Sequence, residues 1–141
     1  MKREVVLSIR GRQSYAGQEP DVIELVTEGT LSRDGDVWTI CYEESALTGL
    51  QGVTTTFTID RDVITLTRTG KLNSQMVFKE GVSHDSLYQV EFGTLMLTVC
   101  ATKVDPKLTE EGGTVDLVYS IEIEQSAAGM IDYHLDIKVK E

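Results

Sequence analysis

The chain has 141 residues, of which 40% are hydrophobic and 26% charged, as expected for a single globular domain spanning residues 1–141. Its formal net charge of −10 argues against nucleic acids and anionic membranes as partners, because their phosphate groups would repel it. No apolar run is long enough for a membrane-spanning helix.

The first residues are basic, but too few apolar residues follow them for the core of a signal peptide, so we expect a cytoplasmic protein. Cys41 and Cys100 are far apart, and His84 and His134 occur in unrelated contexts. The sequence therefore contains no metal-ligand spacing and no Cys-X-X-Cys redox motif. We predict two reduced thiols and no metal or other cofactor.

The chain begins with a pattern of alternating residues that predicts a half-buried strand. Val5, Leu7 and Ile9 are its apolar positions. The polar residues 10–20 are interpreted as a long connection, and a second strand is predicted over residues 22–32.

Asp34-Gly35 is a hairpin signal, because a type I′ turn needs positive φ at both central positions. A turn at these two residues pairs Leu31 with Trp38 and gives the two strands one common apolar face. A wide crossover over residues 44–52 then leads to the next strand.

Asp60-Arg61 is predicted to close the following hairpin, which pairs Phe57 with Ile64. The outer face of this hairpin is rich in threonine, which suits a solvated pleated surface. Arg68 is in phase with the apolar positions of its strand, so it is predicted to point inward.

The rest of the chain continues the alternation with short interruptions. The predicted elements are a turn at 69–71, a strand over 73–78, a loop over 79–85, a hairpin of strands 86–92 and 94–102, a charged loop over 105–113, and strands over 115–123 and 131–139. The hairpin turns at Phe92-Gly93 and sets Tyr88 opposite Leu97. About ten strands with almost no helical periodicity favour an all-β antiparallel meander. Closure into an eight- to ten-stranded calycin- or lipocalin-like barrel would remove exposed edges, and a two-sheet sandwich is the alternative.

Several short motifs occur in a characteristic order along nearly the whole chain. They are Tyr42-Glu43-Glu44, the threonine-rich strand from Val53, Arg68-Thr69-Gly70, Asn73 and Gln75, Phe78 with Gly81, Tyr88 with Phe92-Gly93, Glu110-Glu111-Gly112, and Tyr119. In these motifs the chain resembles the YwiB-like family, bacterial proteins of unknown function with a calycin-like β-barrel. The resemblance implies a barrel related in shape to lipocalins, and it supplies no catalytic or binding residues.

The candidate site lies at the end of the barrel that gathers the connections 10–20 and 44–52. Tyr42, Glu44 and Arg68 are in the inward phase there, and Tyr88 helps to frame them. An inward guanidinium needs a partner, because an isolated buried charge loses several kcal/mol of hydration. In one interpretation these four residues bind the acid group of a small ligand whose apolar part enters the barrel.

The alternative, which is the more common arrangement, is that Arg68 pairs with Glu44 or Glu43 and closes the barrel end. Three function classes follow. The favoured one is a barrel that binds a small acyl or carboxylate ligand, and the second is a filled barrel with a structural or protein-interaction role. An enzyme is the least favoured class, because the sequence shows no nucleophile with a base, and Glu43 and Glu44 cannot both point inward.

Overall fold

The computed structural model describes residues 2–14, 19–45, 51–90, 93–124 and 126–140. Within these ranges the chain forms ten strands, in agreement with the predicted all-β class. The strands are β1 (Lys2–Ser14), β2 (Asp21–Asp34), β3 (Val37–Glu43), β4 (Val53–Asp60), β5 (Val63–Gly70), β6 (Asn73–Phe78), β7 (Ser83–Val90), β8 (Gly93–Thr109), β9 (Gly112–Ile123) and β10 (Ser126–Val139). Over the same ranges there is no helix with the length and apolar character needed to cross a membrane.

The strands form one closed antiparallel barrel in which each strand lies beside its neighbours in sequence. The first and last strands close the wall: Val5 pairs with Val139 and Ile9 pairs with Leu135. The predicted eight- to ten-stranded barrel is therefore confirmed, and the two-sheet sandwich is excluded. Closure removes the two edge strands that an open sheet of this order would have.

The barrel interior is filled over most of its length by inward-pointing side chains. The largest fully buried ones are Tyr119, Phe57, Phe78, Leu7, Leu31, Ile40, Ile59, Ile64, Leu66, Leu117, Leu135 and Ile137. The ring centroids of Phe78 and Tyr119 are 4.4 Å apart, a typical aromatic contact. The apolar positions predicted by the alternation thus form the core.

The β2–β3 hairpin differs from its predicted register by two residues. Its turn consists of Gly35 and Asp36, so Leu31 pairs with Ile40 and not with Trp38. Gly35 has a φ of 62°, which glycine adopts without steric cost. A shift of two residues leaves every side chain on its predicted face, because the strand period is two.

The β4–β5 hairpin shows the same correction. Its turn consists of Arg61 and Asp62, with Arg61 at a φ of 58°, and Phe57 pairs with Leu66 in place of Ile64. In β7–β8, Tyr88 pairs with Leu95 and not with Leu97. Phe92 of the predicted turn lies outside the described residues.

Two predicted loops are partly strand. Residues 10–14 belong to β1, because they pair with β10 on one side, and residues 10–13 also pair with β2 on the other. Residues 105–109 extend β8 along β9, where Pro106 is opposite Val115. Proline is tolerated there because β8 pairs with β7 only as far as Cys100, so at position 106 β9 is its one ladder partner among the described residues.

The predicted loop over 79–85 is shorter than expected, since β7 begins at Ser83. Its turn is attached to β8: the Gly81 N–H donates to the Ala101 carbonyl at 2.9 Å. β6 and β7 themselves pair only through Asn73 with Gln89 and Ser74 with Tyr88. The barrel wall therefore has few paired residues between β6 and β7.

Candidate functional site

A cavity of about 300 Å³ opens at the barrel end that receives the β1–β2 and β3–β4 connections. Its apolar walls are formed by Ile9, Ile23, Leu25 and Ile131. Its polar groups come from Gln13, Asp21, Tyr42, Glu44, Arg68 and Tyr133. We call this cavity the mouth pocket.

Arg68 points into the barrel, as its position in the alternation of β5 predicts, and its side chain is only 12% exposed. Its Nε lies 3.9 Å from Glu44 Oε2, and its Nη2 donates to the Tyr133 hydroxyl at 3.4 Å. Among the described residues, Nε has no hydrogen-bond partner although it is shielded from solvent. The guanidinium therefore retains donor capacity at the pocket wall.

Glu44 follows the end of β3 and is fixed by its backbone, whose N–H donates to the Val53 carbonyl at 2.8 Å. Its side chain is 2% exposed, and its Oε2 accepts a hydrogen bond from Thr55 Oγ1 at 2.6 Å. Glu43 points to the outer face, where it accepts from Thr54 at 2.9 Å. The two adjacent carboxylates are thus on opposite sides of the wall.

Tyr42 is buried beside this ion pair. Burial raises the pKa of its phenol, and the negative charge of Glu44 raises it further. Burial also raises the pKa of Tyr119, whose ring centroid is 6.4 Å from that of Tyr133. Tyr42 and Tyr119 therefore remain neutral at physiological pH.

The structure brings Tyr42, Glu44 and Arg68 together at the mouth pocket, whereas Tyr88 does not line it. Tyr88 is half-buried against the core and pairs with Ser74 on the other side of Arg68. Tyr133 was missed as a site residue. The alternation indicates that it points inward, but its contact with Arg68 depends on barrel closure, for which there is no local signal.

The remaining chemistry-bearing residues are outside the mouth pocket. His134 lies on the outer face, with Nδ1 2.6 Å from Asp116 Oδ1, and His84 is exposed on β7. Cys41 and Cys100 are half-buried free thiols. Within the described part of the chain, no three His, Cys, Asp or Glu residues are grouped as metal ligands would be.

The fold and the site define the class of protein: a closed ten-stranded antiparallel barrel with a polar-rimmed cavity at one end. Residues 7–137 match the family described as a domain of unknown function, DUF1934, and the chain belongs to that family. This confirms the resemblance to the YwiB-like family.

The barrel is similar to the crystal structure of the YwiB protein from Bacillus subtilis, with a TM-score of 0.88 and 19% sequence identity. The similarity covers 99% of this chain and 94% of that one, and at this identity it concerns the fold. None of the curated proteins is similar enough to this chain to count as a match.

Proposed function

We propose that this protein binds a small molecule that carries a carboxylate and a short apolar group. The observation that carries the proposal is the position of Arg68, a buried guanidinium on the wall of a cavity that is also lined by four apolar side chains and by the carboxylates of Asp21 and Glu44. A guanidinium binds a carboxylate through two parallel hydrogen bonds, and it does so most strongly when water is excluded.

The size of the mouth pocket limits the ligand. About 300 Å³ is at the lower end of the range of small-molecule sites, which is roughly 300–1,000 Å³. Below the pocket the barrel is filled by side chains such as Phe57, Leu66 and Tyr119. We therefore expect a short acyl chain to enter, and a long-chain fatty acid to be excluded.

Glu44 competes with such a ligand for Arg68. Its Oε2 is 3.9 Å from Arg68 Nε, which is longer than a hydrogen bond, and the same oxygen accepts a hydrogen bond from Thr55 at 2.6 Å. A ligand carboxylate could therefore approach the guanidinium without displacing Glu44 from Thr55. Tyr133, which already contacts Arg68, would lie beside the bound acid.

Calorimetry with a series of carboxylates from acetate to decanoate tests the proposal. We expect the wild type to bind short members such as hexanoate, and Arg68→Ala to lose at least about tenfold in affinity. Arg61→Ala is the matched control, because Arg61 is an exposed turn residue 3.7 Å from Asp36. Equal affinities of wild type and Arg68→Ala would refute the proposal.

The second candidate is a structural or partner-binding barrel without a ligand. It is favoured by the filled interior and by the Arg68–Glu44 ion pair, which can close the barrel end by itself. The test is the double variant Arg68→Met with Glu44→Leu. A purely structural pair would leave it as stable as the wild type or more so, since apolar replacements of buried ion pairs are often neutral or stabilising.

A further inference from the structure

A second cavity lies where β6 and β7 separate in the barrel wall. Beyond the pairs Asn73 with Gln89 and Ser74 with Tyr88, the two strands form no ladder. At the other end the gap is bounded by the turn, where Lys79 bridges to Val82. We call this opening, with its cavity of about 430 Å³, the β6–β7 seam.

Two buried serine hydroxyls border the β6–β7 seam without a hydrogen-bond partner among the described residues. They are Ser74 Oγ and Ser86 Oγ. Ser74 as a whole residue is only 6% exposed. Buried polar atoms are nearly always satisfied, so two unsatisfied hydroxyls at one opening indicate a missing polar partner.

The backbone adds to this deficit. Gln75 and the residues after it in β6 pair with β5 but not with β7, so their β7-facing edge has no ladder partner within the described residues. Backbone N–H and C=O groups in such a position need hydrogen bonds from another source. The β6–β7 seam is thus a concave surface with both side-chain and main-chain hydrogen-bonding capacity.

The lining of the seam identifies the chemistry of the partner. Its outer rim carries the amides of Asn73, Gln75 and Gln89, which both donate and accept hydrogen bonds. Asp85 and Arg68 contribute one charge of each sign, and Asp85 already accepts from Thr98 Oγ1 at 2.7 Å. The lining also includes His84, whose ring nitrogens can donate and accept hydrogen bonds. The formal charges of Asp85 and Arg68 cancel, so the seam matches neutral groups that both donate and accept.

We propose that the β6–β7 seam binds a neutral polyhydroxylated small molecule, of the size of a sugar or cyclitol. Its hydroxyl groups pair with Ser74 and Ser86, and further hydroxyls pair with the amides of the rim. The seam is separate from the mouth pocket, although Arg68 lines both cavities. The proposal therefore does not depend on carboxylate binding at the mouth.

Amide chemical shifts of the ¹⁵N-labelled full chain test this inference, with D-glucose and myo-inositol as probes. We expect saturable shifts at the amides of Gln75 and Leu87, with at least one of the two probes. The double variant Ser74→Ala with Ser86→Ala is expected to weaken that binding at least about tenfold, because it removes both serine hydroxyls. Ser32→Ala on β2 is the matched control and is expected to bind as the wild type does.

The absence of saturable shifts with both probes would overturn the proposal, and so would unchanged affinity in the double variant. If the double variant does not give a dispersed, folded spectrum, Gln75→Trp replaces it, because an exposed side chain at that position can block the seam without entering the core. Hexanoate titration of the same samples reports on the mouth pocket separately. Failure of one site therefore leaves the result at the other intact.

Discussion

Replacement of Glu44 by glutamine gives the sharpest distinction between a binding site and a structural plug. Glutamine keeps the shape of the side chain and an oxygen that can accept from Thr55, but it removes the negative charge beside Arg68. Breaking a buried ion pair in this way costs about 3–5 kcal/mol when both groups are fully enclosed. Here the pair is 3.9 Å long and Arg68 is 12% exposed, so we expect a loss of about 1–3 kcal/mol in the free energy of unfolding.

The same substitution is expected to strengthen carboxylate binding. Two negative charges about 4 Å apart repel each other by about 4 kcal/mol at an effective dielectric constant of 20, and solvent at the open pocket reduces that value. Removing the charge of Glu44 should therefore tighten hexanoate binding by at least about tenfold, which corresponds to about 1.4 kcal/mol. A variant that is less stable alone would thus gain more stability from the ligand than the wild type does.

Urea unfolding with and without hexanoate measures both effects in one assay. Glu43→Gln is the matched control, because Glu43 lies on the outer face and contacts Thr54. We expect it to change neither the binding nor the stability by more than about 0.5 kcal/mol. If Glu44→Gln lowers the stability and hexanoate restores none of it, Arg68 serves the fold and not a ligand.

Three further predictions concern the fold. Burial raises the pKa of Tyr119 above its unfolded value, so the stabilisation from the neutral phenol is complete below about pH 10. Above that pH the free energy of unfolding should fall by about 1.4 kcal/mol per pH unit, because the phenol ionises in the unfolded chain first. Urea unfolding across this range should show a smaller fall for Tyr119→Phe. Gly112→Ala should destabilise the barrel by about 3 kcal/mol or more, since φ is 117° and the added Cβ would lie 2.2 Å from the Ile137 carbonyl oxygen. The control, Gly35→Ala, has open space around the added Cβ and should cost about 1 kcal/mol. Thermal unfolding compares the two variants. Phe57→Ala should cost about 3–5 kcal/mol by leaving a cavity in the core, again measured by unfolding, and a loss below about 1 kcal/mol would contradict the filled interior.

The sequence predicts which face each residue occupies better than it predicts which residues pair. Alternation determines the face, and a register that slips by two residues preserves it. In both hairpins the turn lies one residue later than predicted, at Gly35-Asp36 and at Arg61-Asp62. In each turn the first residue takes the positive φ, and the preference of Asp-Gly for a turn cannot by itself tell which two residues occupy it.

The candidate site was predictable where it depends on local phase and not where it depends on closure. Arg68 is a polar residue at an inward position of β5, and Glu44 follows β3 in the phase of its inward residues, so the alternation alone singles them out. Tyr133 reaches Arg68 from β10, which is far from β5 both in sequence and around the wall. That contact follows from the curvature of the whole barrel, and no short sequence pattern encodes it.

The proposed binding sites lie at the position along the barrel axis where the apolar core ends. One row of paired inward residues crosses β3 to β6 and is entirely apolar: Ile40, Phe57, Leu66 and Met76. The next row towards the mouth continues to β7 and is entirely polar or phenolic: Tyr42, Thr55, Arg68, Ser74 and Tyr88. Substitutions in the apolar row open cavities and so lower the stability of the barrel. Substitutions in the polar row change the hydrogen-bonding groups that a ligand could contact. Both proposed sites lie along this polar row, the mouth pocket at its Tyr42 end and the β6–β7 seam at its Ser74 end, with Arg68 between them.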